Sequence, residues 1–501
     1  MHFFTRANSW YAFRTMEESV KALKTPWLSE KIRSLPLLSW GVFLVLFIGS
    51  VLVAFGLPFG PVLLGCAILG MILAYRYTYF FLYIALFLSC MLGLTVSVPL
   101  GTSDTAESAF AGSIDLFLGE IFLVLVIGAW AIKVFILWFR RRDTNWKPQL
   151  PIWRSYLGLV AAHLISIFSS YGPDPVLILK FILRPVVFCY VAFIALPANL
   201  IRSLRRLKAA LGILTTVGLI ASVDGLLSLV SLEFTNQTIR RAHPIPLFGF
   251  DLFGNNHNLL AETLLFTAPS TLALAYLAKK SRTRHLLYGA AALQALVALL
   301  TLARTAWIVL IIQIVFLMLT LWRHKIKQYA FEIATLILII TPLAIFQLYF
   351  SFSRTAQDSN ATRLMLSEIA YYSFLEQPVI GSGAGTFLGR VANAQVFAQE
   401  FGAPLDAHGF AQKLMTETGA LGLIAYALVL LESFWLAFSK IKPMKDTARI
   451  VCVILAASAA GAVIYQFFNT AYWTAHLWLP IGILFAALKI FETNETEIIQ
   501  N

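Results

Sequence analysis

Apolar positions in this chain gather into runs of about 20 residues, broken by short charged or Pro/Gly-rich stretches, and show little of the strict alternation of half-buried strands. The runs fall near 36–56, 58–75, 77–96, 114–138, 152–169, 176–197, 209–230, 258–278, 285–301, 303–321, 329–350, 410–438, 448–468 and 476–490. A run of that length satisfies its own backbone as a helix and matches the hydrocarbon thickness of a bilayer. The pattern predicts an all-α, polytopic integral membrane protein of about fourteen spans, with twelve as the lower bound because 58–75 and 303–321 are short. The run 36–56 follows a polar leader and has no small-residue cleavage site, so it reads as a retained span.

Composition agrees. Of 501 residues, 59% are hydrophobic and 13% charged, about half the charge of a soluble domain. Lys and Arg gather in 1–35, at Arg140–Arg142 and Lys147, around Arg202–Lys208, Lys279–Arg284, Arg323–Lys327 and Lys440–Lys445. An alternating fourteen-span count puts all these segments on one side, which the positive-inside rule makes cytoplasmic, with both termini there. Topology thus accounts for most of the net charge of +13, and no nucleic-acid partner is expected. Residues 1–34 mix Trp10, Tyr11, Phe13 and Trp27 with charges, as an interfacial amphipathic segment does. A single transmembrane domain over 35–491 and a cytoplasmic tail at 492–501 complete the organisation. The four cysteines lie in apolar runs without disulfide or metal spacing, and no outer loop pairs carboxylates as metal ligands, so no cofactor or metal is expected.

Three outer connections exceed a turn: 97–113, 231–257 and 351–409. The last contains two helix-like stretches, 361–376 and 391–401, the second with Val391, Ala394, Ala398 and Phe401 in a stripe suited to lying on a membrane or on the bundle. A partly helical outer lid is expected. Against the charge rule, Lys180, Arg184, Arg240, Arg241, Arg304, Arg354, Arg363, Arg390 and Lys413 fall on or near this outer side. Lys180 and Arg184 share a helix face, and a cation near midplane costs about 2.5–3.5 kcal/mol. They call for carboxylate partners (Asp224, Glu120 or Asp115) or for a bound anion. Arg304 sits at a tight hinge between two apolar runs, either snorkelling over the preceding helix end or forming a diphosphate clamp with Arg240 and Arg241.

His408, at the outer start of the run 410–438, is a capping residue or a proton acceptor; a helix N-terminus favours the neutral ring while Asp406 opposes it. His243 and His257 are weaker competitors, and His163 lies deep in a run, where a helix-bonded structural role is expected. Gly381-Ser-Gly383-Ala-Gly385 lacks the preceding strand of a dinucleotide fingerprint and reads as a strained turn in the lid.

Four stretches together resemble the O-antigen ligase and polysaccharide polymerase superfamily of membrane glycosyltransferases. They are R-R-A-H-P-I-P-L-F-G with G-N-N-H-N-L-L-A-E-T-L-L-F-T-A-P; T-L-A-R-T-A-W; R-L-M-L-S-E-I-A-Y-Y-S-F-L-E-Q-P-V-I-G-S-G-A-G-T-F; and A-H-G-F-A-Q-K-L-M-T-E-T-G-A-L-G-L-I. The resemblance spans about 240–425 and departs from the family at Gly409, where Asn is common, and in an aromatic displaced into Tyr371-Tyr372. It implies a GT-C-like fold in the bacterial inner membrane, facing the periplasm or cell exterior. It further implies transfer of a glycan from a polyprenyl-diphosphate-linked donor to an acceptor hydroxyl, a growing glycan or a lipid-A core, by inversion and without a metal. Carried over by position, it assigns catalytic roles to His408, Arg304 and Arg241, and diphosphate contacts to Arg240, Arg363 and Asn258, with Lys180 and Arg184 as support. A multi-span transporter of a solute or lipid is the alternative. It would show repeat symmetry and helices broken at midplane, whereas the unexplained cations here cluster on one face.

Overall fold

The computed structural model describes residues 60–99, 113–140, 148–171, 175–230, 241–246, 250–254, 256–321, 354–402, 404–469 and 473–500, with isolated helical positions between 335 and 345. The interfacial segment 1–34, the run 36–56, Arg240 and most of the run 329–350 lie outside the described residues. Among the described residues nine helices are long and apolar enough to cross a membrane, ten if one bent pair counts as a span. The chain is a multi-pass helical membrane protein. Exposed Ile308, Ile311, Val315 and Leu319 recur along one face of Arg304–Leu321, an apolar surface that water would not tolerate but lipid does.

The contacts divide the molecule into two units. The smaller, Met1–Leu82 with Phe122–Pro148, contains α1 (Gly60–Arg76), the start of α2 (Thr78–Ser89) and most of α3 (Leu118–Arg140). The chain bends by 110° between α1 and α2, so the runs expected at 58–75 and 77–96 form a broken pair, not two straight spans.

The larger unit holds everything else. A two-stranded antiparallel hairpin, β1 (Thr95–Pro99) with β2 (Ser113–Phe117), pairs Thr95 with Phe117 and Pro99 with Ser113, where the sequence had promised only a connection. Then come α4 (Trp153–Tyr171), α5 (Pro175–Ile182), a π-helical stretch Leu183–Ala195, α6 (Leu196–Leu200) and α7 (Leu204–Val230). Pro185 has no N–H to give to an α-helical ladder, and the turn around it widens. Gly482 is a glycine because a Cβ there would collide with the carbonyl of Phe193 in that stretch.

At the centre stands α8 (His257–Tyr276), almost wholly buried. It is packed by α7, α9 (Ser281–Leu300), α10 (Arg304–Leu321) and α15 (Asp446–Gln466). Its polar residues join neighbours: Thr271 Oγ1 donates to Thr215 Oγ1 at 3.1 Å and Ser458 Oγ to the Phe266 carbonyl at 2.8 Å. Gln313 Nε2 donates to the carbonyls of Leu265 and Ala457 at 3.0 and 3.1 Å. Such interhelical bonds contribute about 0.6 kcal/mol each, so their effect is to fix orientation more than to add stability.

The 351–409 connection is a helical layer, as expected. It comprises α11 (Arg354–Glu376), α12 (Phe387–Asn393) and α13 (Gln395–Phe401), and leads into α14 (Phe410–Ile441). The stripe of 391–401 packs on protein: Val391 and Phe397 bury with Leu366, Ala370, Phe387 and Ala407, and Ala394 and Phe401 border that cluster. Gly381 (φ +70°) and Gly419 (φ +60°), backbone conformations that favour glycine, meet where the turn 378–383 docks into a break in α14. Ser382 N donates to the Thr416 carbonyl at 2.7 Å, Gly383 N to Glu417 at 3.1 Å, Ala420 N to Pro378 at 2.8 Å and Leu421 N to Val379 at 3.0 Å. The two glycine-bearing motifs, 38 residues apart from Gly381 to Gly419, are halves of one interlock.

Candidate active site

Arg304 opens α10, four residues after α9 ends. The hinge is held in an unusual conformation: Leu302 has φ +54°, a backbone cost of order 1–3 kcal/mol for a residue with a side chain. Thr301 Oγ1 accepts from Ala303 N at 3.3 Å, and Trp307 Nε1 donates to the Leu299 carbonyl at 3.0 Å. The same hinge seats Arg241, because Ala242 N donates to the Leu300 carbonyl at 2.8 Å. Residues some sixty apart in sequence are thereby brought to one place.

Three guanidiniums gather there within electrostatic reach of one another or of a shared neighbour, His257. Arg241 Nη1 lies 3.5 Å from His257 Nε2, Arg304 Nη2 donates to Asn360 Oδ1 at 2.8 Å, and Arg363 stands one turn further along α11. Burial pushes the Arg241 and Arg363 guanidiniums below their ordinary values, and the charge of Arg304 adds to the effect on Arg363. Both remain cations at neutral pH, since arginine starts so far above it. None of the three forms an ion pair among the described residues, and Arg363 Nε is buried without a hydrogen-bond partner. Like charges gathered half-buried without carboxylates repel one another, a cost that an anion bound among them offsets.

His408 completes the group. Its backbone N donates to Gln412 Oε1 at 2.9 Å, Gln412 Nε2 donates to Ser367 Oγ at 2.6 Å, and Ser367 Oγ donates to the Arg363 carbonyl at 2.8 Å. One glutamine side chain thus ties the histidine to the helix that carries Arg363. Burial, and next the charge of Arg363, lower the His408 pKa, outweighing Asp406. The ring is neutral at pH 7 and able to take a proton. Asp406 is held elsewhere: its Oδ2 accepts from Lys413 Nζ at 2.8 Å. Gly409 stands against the Phe467 carbonyl, where any Cβ would collide, so the family's asparagine does not fit this packing.

The other residues singled out in the sequence are placed as follows. Arg184 pairs with Glu120 at 2.7 Å and lies 5.2 Å from the Phe117 ring, so of the two alternatives weighed for it the carboxylate is present; Lys180 precedes it on α5. Arg390 pairs with Glu376 at 2.6 Å. Asn258 acts through its backbone: its N–H donates to the N-cap Asn256 at 2.9 Å and its carbonyl accepts from Tyr465 Oη at 2.8 Å. His163 Nδ1 lies 2.9 Å from the Leu159 carbonyl of its own helix. Gln412 and Tyr465 were not singled out in the sequence; the i+4 spacing of Gln412 from His408 is the one signal that marks it.

Among the described residues no group of three or more His, Cys, Asp and Glu side chains is arranged to hold a metal ion. What the geometry defines is a cationic site at the ends of the apolar helices, with a neutral imidazole at its edge. Residues 289–427, which carry Arg304, Arg363 and His408, match the family model described as O-antigen ligase, the superfamily whose motifs this stretch resembles. No match was found among curated proteins.

Proposed function

We propose that this protein transfers a glycan from a polyprenyl diphosphate to an acceptor hydroxyl on the outer face of the bacterial inner membrane, acting as an O-antigen ligase or a polysaccharide polymerase. The observation that carries this reading is the convergence of Arg241, Arg304 and Arg363, without carboxylate partners among the described residues, on the site where His408 stands. Guanidinium forks suit the diphosphate, gripping its oxygens bidentately and holding the charge that develops on it as it leaves. The acceptor oxygen attacks the anomeric carbon, the bond from that carbon to the phosphate oxygen breaks, and its electron pair stays with the polyprenyl diphosphate. His408 takes the hydroxyl proton. Such a single displacement inverts the anomeric centre and needs neither nucleotide sugar nor metal. Lys180 and the Glu120-paired Arg184 are not required for the clamp, and Arg240 is an alternative or additional contact beside Arg241.

The test uses the full chain in lipid nanodiscs with a polyprenyl-diphosphate glycan and one of two acceptors. Product with lipid-A core assigns a ligase, and elongation of a second lipid-linked repeat assigns a polymerase. Movement of intact donor across a membrane, with no new bond, supports a transporter instead. The outward placement belongs to the same proposal, as does a GT-C-like arrangement of the helices. Exposed Gln395 on α13 supplies the check: Gln395→Cys in a cysteine-free chain reacts with an impermeant thiol reagent applied to intact spheroplasts. Reaction only after permeabilisation would overturn the orientation.

A further inference from the structure

A separate concavity lies toward the C-terminal end of α11, beyond Arg363. It encloses about 570 Å³, within the usual range for ligand sites, and its wall includes Ser170, Tyr372, Ser373, Glu376, Arg390 and Asn393. The chemistry of that wall is selective. It mixes polar groups with the apolar Ile369 and Leu388, and its single guanidinium is paired with Glu376 at 2.6 Å, so it is unlike the arginine site and does not call for an anion. Arg390 Nη2 also donates to Ser382 Oγ at 2.9 Å. Hydroxyls, an amide, a carboxylate and a guanidinium offer donors and acceptors side by side, the complement of a ligand whose hydroxyls both give and accept.

Two further features narrow the class. Tyr371 and Tyr372 are 52% and 64% exposed, so two large rings stand in the open at and beside the rim. A tyrosine ring presents an apolar face and a polar tip, which suits the C–H face and hydroxyl edge of a pyranose. Part of the wall is also rigid, because Ser382 belongs to the turn that docks on the break in α14 and Thr386 N donates back to the Gly383 carbonyl of that turn at 3.2 Å. Tyr372 is nine residues after Arg363 on one helix, about 13 Å at 1.5 Å per residue. A few linked sugar rings bridge that distance.

We infer that this concavity is a glycan subsite, which holds a sugar residue a few rings from the reacting bond. The inference rests on the transfer reaction proposed above, and the sugar belongs either to the donor or to the acceptor. The test uses the full chain in nanodiscs and, as probe, the oligosaccharide released by mild acid from the polyprenyl-diphosphate pool of cells that make this protein. Binding is read by saturation-transfer NMR, and KM is measured for donor and acceptor separately. Tyr372→Ala is expected to weaken probe binding at least fivefold and to raise one KM by a similar factor with kcat within twofold, while Tyr372→Phe stays within twofold of wild type. Asn393→Ala, at an exposed position, is expected to act in the same direction. A raised donor KM assigns the sugar to the donor, a raised acceptor KM to the acceptor. Unchanged binding and unchanged KM values in both variants overturn the subsite. Probe binding that depends on Tyr372 in a protein that forms no glycosidic bond with either acceptor keeps the subsite and sinks the transfer reading.

Discussion

His408→Gln reduces glycan transfer about a hundredfold or more while the lipid-linked donor still binds. Glutamine can hydrogen-bond but cannot take a proton, and a positioned base typically contributes 10²–10⁴-fold. The donor is held through its diphosphate by the arginines, so its affinity stays within a few-fold. The pH profile follows from the direction of the shift. Burial and the charge of Arg363 hold the ring below its ordinary value of 6.5. A base works deprotonated, so the rate is already on its plateau at pH 7 and falls as pH drops through an ionisation below 6.5. That step is missing from His408→Gln. A variant with a substantial rate, or one that loses donor binding together with activity, makes His408 a phosphate-contacting or orienting group and sends the proton to water or to His257. Asp406 is a poor substitute because Lys413 already holds it.

Arg304→Lys is nearly as inactive as Arg304→Ala, losing about 10²–10³-fold in kcat. An ammonium keeps the charge but not the planar fork, and at a site built from three converging guanidiniums bidentate geometry is what distinguishes a diphosphate grip from simple attraction. Free polyprenyl diphosphate inhibits competitively against the donor, more weakly in both variants. Full activity in Arg304→Lys would reduce the residue to a snorkelling charge over the hinge. Arg363→Ala tests the neighbouring position, where a buried guanidinium nitrogen has no hydrogen-bond partner among the described residues.

Much of this was legible in the chain because the bilayer imposes simple rules. Helix after helix follows an apolar run, and the lid helix at 354–376 and the turn at 381–385 follow from helical spacing and glycine chemistry. The candidate arginines were visible as cations that topology does not explain. What sequence could not do was sort them. Arg184, Arg390 and Lys413 have carboxylates, whereas Arg241, Arg304 and Arg363 have none among the described residues, and that difference depends on contacts such as Glu120 with Arg184 across 64 positions. The hairpin at 95–117 was missed although Val96 and Val98, and Ile114 and Leu116, alternate with polar residues, because each strand is only five residues long beside an apolar run. The bend between α1 and α2 has no proline to announce it. The role of Gln412 was hidden for a different reason: it acts on His408 backbone and Ser367 at once, a bridge between two elements.

The measurement that bears most directly on the proposed chemistry counts products in a purified system. Wild-type protein in nanodiscs, given polyprenyl-diphosphate glycan and acceptor with no nucleotide sugar, is expected to release one polyprenyl diphosphate for each new glycosidic bond, and Arg304→Ala to release neither. Glycosidic bonds formed without polyprenyl diphosphate, or donor consumed at the same rate by Arg304→Ala, would contradict a transfer in which these arginines hold the leaving diphosphate.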